Sequence, residues 1–325
     1  MSRVFRSTLV AVSLAAVVLV DATAAYADDT TTSLSQAEMT VALNAVAAAS
    51  ATAATPGWHA AMTISAGSVS GTGAFGVDAS DGIAFDQFRV GTVNQTEYGV
   101  RKKGTYDNFS DATSVAAVKM MGRAAVRYVF TADPSLSLAG YVNDNLPAPS
   151  VVLGEGVGAG TKTVHDDGTT DYAFSITEDS ETAAVTVHAD TAGAMASTTL
   201  NGFGTTYALT YTYGAQKLTV PASVDAATLA KAVKYLSMAT RVKTAATNGA
   251  ADTRKAAKGK TVKVAVLRSV VGKDVAAVNK SVGLAMVKVT NISGGVRVSA
   301  TNPWTHKSVT YTVKASGKKV ILTKL

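Results

Sequence analysis

The sequence predicts an α+β fold: antiparallel sheets with helices between them, then a basic β-rich region at the C-terminal end. Three observations carry that prediction. Short segments alternate apolar and polar residues with a period of two, and polar turns separate them. Runs with helical start and stop signals interrupt those segments. Charge also divides the chain. Asp28 to Ala230 holds 9 Lys or Arg against 20 Asp or Glu, whereas Lys231 to Leu325 holds 19 against 2. An apolar content of 47% is enough to fill a core, which sets the chain apart from disordered ones.

The N-terminus reads as an export signal spanning residues 1–27. Arg3 and Arg6 precede a twelve-residue apolar run, Leu9 to Val20. As a helix this run is about 18 Å long, short of a membrane's hydrocarbon core. Ala25-Tyr26-Ala27 then offers small residues for cleavage, so the mature chain is expected to begin at Asp28 and to be secreted or held in the cell envelope. There is no cysteine, which excludes disulfides, thiolate metal sites, thiol nucleophiles and a lipobox anchor.

Ser35-Gln-Ala-Glu38 is a capping-box pattern that opens an Ala-rich helix running to about Ala54. Trp58 begins a β region, with a turn at Asp78 to Gly82 and a strand, Ile83 to Val90, whose alternation contains one irregularity. A second helix is expected over 111–130, with Val118 and Val126 on its apolar stripe. Clear alternation follows: Tyr172, Phe174 and Ile176 share a face, as do Val185 and Val187, and Tyr207, Leu209 and Tyr211. A third helix starts near Asp225 and passes Lys243. Val262, Val264 and Val266 then read as a strand, followed by Val287 and Val289, Val296 and Val298, and Val309 to Val313. Gly294-Gly295 and Ser316-Gly317 are hairpin-turn candidates. The expected plan is a main domain at 28–247, a linker or frayed helix end at 248–259 and a basic β-rich domain at 260–325.

The order of elements from Trp58 to about Ser223 resembles the LolA-like half-barrel proteins, nearest to the LppX/LprG-type lipoproteins of actinobacteria. The residues carrying this are Trp58-His59-Ala60-Ala61-Met62-Thr63-Ile64, the turn Asp78-Ala79-Ser80-Asp81-Gly82, the segment Arg101-Lys102-Lys103-Gly104-Thr105-Tyr106, and the Tyr207–Tyr213 strand leading to Leu218-Thr219-Val220-Pro221. The resemblance implies a curved half-barrel sheet wrapped around helices and enclosing an apolar space for acyl chains. Two departures stand out: there is no lipobox cysteine, and the basic extension after Lys231 lies outside the family core.

No residue pattern reads as catalytic. The four histidines, His59, His165, His188 and His306, are scattered without metal-ligand spacings. His165-Asp166-Asp167 reads as a solvated hairpin turn. Gly154-Glu-Gly156-Val-Gly158-Ala-Gly160 lacks the Lys-Ser/Thr ending and the strand–loop–helix setting of a phosphate loop. The expectation is therefore a protein that is not an enzyme and needs no cofactor, binding a lipid or glycolipid. Its cavity would be lined by Tyr172, Phe174, Val185, Val187, Tyr207, Leu209 and Tyr211, with Val118 and Val126 from the second helix. The basic C-terminal region would attract anionic cell-wall polymer or a membrane surface, and nucleic acid is not an expected partner. The alternative is a non-catalytic structural or adhesive envelope module with a solid core, docking through that basic region.

Overall fold

The computed structural model describes residues 29–150, 157–178 and 181–325. The export signal, the glycines at 154 and 156 and the turn residues 179–180 lie outside them. In chain order the elements are β1 (Thr30–Leu34), α1 (Gln36–Ala53), β2 (Gly57–Ala66), β3 (Val69–Asp78), β4 (Ile83–Val90), β5 (Val93–Val100), β6 (Gly104–Asn108), α2 (Ala112–Met120), β7 (Tyr128–Ala132), α3 (Leu138–Asn145), β8 (Val157–Val164), β9 (Thr170–Glu178), β10 (Glu181–Ala189), β11 (Met195–Gly202), β12 (Thr205–Tyr213), β13 (Ser223–Asp225), α4 (Ala226–Leu236), α5 (Met238–Ala257), α6 (Val264–Val282), β14 (Lys288–Ile292), β15 (Gly295–Thr301), β16 (Ser308–Ser316) and β17 (Lys319–Lys324).

The chain divides into two compact units. Unit 1 is residues up to Thr105 together with Ala132–Val220; unit 2 is Tyr106–Thr131 together with Pro221–Leu325. In unit 1 ten strands bond in the order β1-β8-β9-β10-β11-β12-β2-β3-β4-β5. Each of these pairings is antiparallel. β5 pairs onward with β6 and β1 is a free edge, so the sheet is open. One face of it carries the core. α1 covers that face over β8 and β11, and α3 covers it over β4 and β5. The capping box of α1 forms as the sequence predicts, with Glu38 accepting from the Ser35 N–H and Ser35 Oγ accepting from the Glu38 N–H. α3 reaches the sheet because Gly99 has no side chain: a Cβ there would stand 2.5 Å from the Tyr141 ring.

Three tyrosines tie this core to the backbone or to polar groups while burying their rings. Tyr211 donates to Pro147 O (2.8 Å), Tyr213 to Met195 O (2.6 Å) and Tyr141 to Asp86 Oδ1 (3.3 Å). The turn after β3 is built on buried Asp78, which accepts from Ser80 Oγ, the Asp81 N–H and the Leu218 N–H. These bonds, that from Ser80 foremost, hold its carboxyl below the usual carboxylate range.

Unit 2 has two apolar clusters. The smaller joins α2, the strand pair β7·β13 (parallel) and α4, through Val118, Val126, Val224, Leu229 and Ala232. The larger packs α5 and α6 on one face of the antiparallel sheet β14-β15-β16-β17. The two helices approach closely because α5 presents Ala245, Ala246, Gly249 and Ala250; a Cβ on Gly249 would stand 2.8 Å from Val271 Cγ2.

Several expectations are corrected here. The second helix ends at Met120 rather than 130, because Gly122 adopts φ +77 and the β-forming run Tyr128-Val129-Phe130-Thr131 becomes β7. Residues 248–257 are not a linker: α5 runs through them. Val264 and Val266 are not in a strand. They open α6, whose buried stripe Leu267, Val271, Val275 has the spacing of a helix and outweighs the short alternation at its start. The third helix breaks at Ser237 into α4 and α5. The irregularity in Ile83–Val90 is not a bulge. Phe85 lies on the outer face and Phe88 on the inner one, so β4 carries apolar groups on both.

Candidate functional site

The register of unit 1 places the sequence-predicted cavity residues in rows across the inner face. Tyr172, Phe174, Val185, Val187, Leu209 and Tyr211 all fall in one core cluster with Met39, Leu43 and Val46 of α1. Its centre is filled: Val187 is 0% and Leu209 1% exposed. Tyr207 packs against this cluster but is only half-buried, and burial pushes its hydroxyl up to about 12. Val118 and Val126 are not part of this arrangement. They belong to the core of unit 2, because the helix meant to carry both ends between them.

One row was not visible in the sequence. Val185 pairs with Leu200, Leu200 with Tyr207, Tyr207 with Ile64, Ile64 with Gly71, Gly71 with Val90 and Val90 with Val93. Every position is apolar, glycine or tyrosine, over seven strands at the end of the sheet where the β2–β3, β4–β5 and β11–β12 hairpins turn. Val185 at one end is 9% exposed, whereas Val90 and Val93 at the other are 37% and 63% exposed. Phe88, one row inward, is 36% exposed, and Val69, on the same face of β3, is 54% exposed. Over Gly71 the side chains close in: a Cβ there would lie 2.7 Å from Val90 Cγ2 and 3.1 Å from Ile64 Cγ2. An antiparallel sheet that meets water on part of a face normally shows polar side chains there. This end shows valine, isoleucine, phenylalanine and leucine instead. Its signal in the sequence is split over hairpins far apart along the chain, and only the register assembles it.

The outer face of the same sheet holds a polar chain. His165 Nδ1 lies 3.1 Å from Asp29 Oδ2 and its Nε2 3.1 Å from Asp171 Oδ2, while Asp171 Oδ1 lies 2.7 Å from His188 Nδ1. A carboxylate only accepts, and an imidazole donates from both nitrogens only as the cation, so two carboxylates favour the protonated ring. Asp171 first and Asp29 second hold the His165 pKa above its ordinary value. For Asp171, burial acts upward, but the bonds from His188 and His165 outweigh it and the net shift is downward. The alternation that turns Val187 and Tyr172 inward turns His188 and Asp171 outward; their register pairing was not legible in either segment alone. Among the described residues no group of three His, Cys, Asp or Glu side chains is placed to hold a metal ion. Nor is any described helix long and apolar enough to cross a membrane.

No protein-family model matches this chain, and no curated protein does. Among solved structures it aligns with lipoprotein LppX of Mycobacterium tuberculosis over 56% of this chain and 99% of that one, at 11% identity and a TM-score of 0.31. It also aligns with LprF of Mycobacterium bovis over 59% of this chain and 99% of that one, at 12% identity and a TM-score of 0.33. At these TM-scores the likeness carries no argument about this chain.

Proposed function

We propose that unit 1 binds the apolar chain of a lipid or glycolipid and carries it without making or breaking a bond. The observation that supports this is the apolar row at the hairpin end of the inner face, half-buried at Leu200, Tyr207 and Ile64 and exposed at Val90 and Val93. Water against this row costs free energy that an acyl chain would recover at about 0.8 kcal/mol per buried CH2. The deep residues Val187, Leu209 and Tyr211 form the floor on which the chain rests, rather than walls of an empty space. The export signal read in residues 1–27 suits a carrier working in the cell envelope or outside it.

Native mass spectrometry of the exported protein tests this. The expected spectrum contains a lipid adduct, and Val90→Asp with Val93→Asp removes it while leaving the folded protein intact. A wild-type spectrum with no adduct, together with no uptake of a fluorescent fatty acid, rejects the carrier. That result would leave the solid-cored envelope module.

A further inference from the structure

We propose that the outer face of the β14–β17 sheet is a docking surface for an anionic lipid membrane. Strand alternation fixes which residues it presents. Val296, Val298 and Val313 are fully buried under α5 and α6, so the residues of opposite parity face away from the helices. Those include Lys288 on β14, Arg297 on β15, Lys314 on β16 and Lys319 on β17, each exposed. No Asp or Glu follows Asp274 in the sequence, so no side-chain carboxylate of these strands offsets them. Four cations thus stand on one face.

Charge alone would suit any polyanion. Two further features select a membrane. The same face carries apolar side chains among the cations: Ile321, which pairs with Lys314, is 47% exposed, and Leu325 is 67% exposed. A hydrophilic polymer gains nothing from them, whereas a bilayer interface takes up apolar side chains while its headgroups meet the lysines and arginines. Between the strands there is also an open depression of about 480 Å³, lined by Arg297, Lys314, Thr312, Thr323, Ile292 and Leu325 among others. Two cations beside two hydroxyls are the donors a phosphate-bearing headgroup requires. This inference stands on unit 2 alone and does not depend on what unit 1 holds.

The test uses the full chain and vesicles of phosphatidylcholine with or without phosphatidylglycerol. Binding is expected only to vesicles containing phosphatidylglycerol and should weaken as salt rises. Arg297→Gln with Lys314→Gln should weaken it roughly twenty-fivefold, about fivefold per cation removed, and Arg297→Glu with Lys314→Glu further. Uptake of a fluorescent fatty acid by unit 1 should be unchanged in both variants, which separates this result from a failure of the carrier reading. Ile321→Trp should shift its emission to the blue on these vesicles but not on soluble polyphosphate. Undiminished vesicle binding by the Glu variant would overturn the proposal. So would polyphosphate binding as tight as vesicle binding with no emission shift at Ile321→Trp, which would identify a polymer-binding surface instead.

Discussion

The two units reach stability with different side chains. Unit 1 fills its core with large rings (Trp58, Phe75, Tyr141, Tyr172, Phe174 and Tyr211), and the hydroxyls of Tyr141 and Tyr211 are anchored by hydrogen bonds. Unit 2 fills its larger core mostly with valine and alanine, beside Met238, Leu267 and Met286, and a glycine, Gly249, brings two helix backbones close. Their surfaces differ as much. From Asp29 onward unit 1 carries 6 basic and 16 acidic residues, whereas unit 2 carries 22 and 5. Large rings on a sheet leave an uneven inner face that ends in an exposed apolar rim. Unit 2 also exposes apolar side chains, Leu236, Val266, Ile321 and Leu325 among them, and what sets it apart is its charge. A ligand for unit 1 is therefore sought among apolar chains, and one for unit 2 among anions.

Each unit holds one of the two tryptophans, Trp58 in unit 1 and Trp304 in unit 2, so fluorescence can follow them separately. The largest effect is expected at Leu209→Ala. Leu209 is 1% exposed at the centre of the unit 1 core, and its truncation should cost about 2–5 kcal/mol. In a Trp304→Phe background the unfolding of Trp58 should move to lower denaturant. In a parallel experiment that keeps Trp304 and replaces Trp58 by Phe, a similar shift on adding Leu209→Ala would dissolve the contrast between the units.

Next is Gly249→Val, the converse change in unit 2. It forces a side chain onto Val271 and should cost about 1–3 kcal/mol by overpacking. Here the Trp304 transition should respond.

A smaller and opposite effect is expected at Asp274 on α6. Its Oδ2 is buried without a hydrogen-bond partner, and burial, then Asp252, raises its pKa. A carboxyl whose folded pKa lies above its unfolded value favours the folded state most at low pH. That contribution is lost as pH rises from the unfolded value through the raised one. Asp274→Ala should remove this slope and add about 1 kcal/mol to stability at neutral pH. Denaturant midpoints measured across the acid range would show it.

The smallest effect is local. Asp171, then Asp29, raise the pKa of His165, and its protonated ring ties the edge strand β1 to the sheet. The tie is complete below the ordinary histidine pKa of about 6.5 and lost as pH rises through the raised value. After correction for intrinsic exchange rates, hydrogen exchange at Thr30–Leu34 should quicken with rising pH in the wild type. In His165→Gln that pH dependence should be absent.

Much of this fold was legible in single segments. Ser35 and Glu38 announce α1, and the alternation at 172–176, 185–189 and 207–213 gives three strands with their correct faces. What failed was local evidence with two readings. Val264 and Val266 alternate like a strand, but Leu267, Val271 and Val275 continue at helical spacing, and the longer pattern wins. Val118 and Val126 fit one helical stripe on paper, yet Gly122 ends the helix between them. The candidate site was the least legible part. Leu200, Tyr207, Ile64, Val90 and Val93 become neighbours only through pairings between hairpins remote in sequence, which no periodicity encodes.

The central claim is that this row holds an apolar chain, and a photoreactive fatty acid tests it most directly. After crosslinking to the full chain and digestion, adducts are expected on peptides containing Ile64, Val69, Phe88–Val93, Leu200 and Tyr207. Competition with unlabelled fatty acid should suppress them. Adducts scattered over both units, or confined to unit 2, would contradict the account.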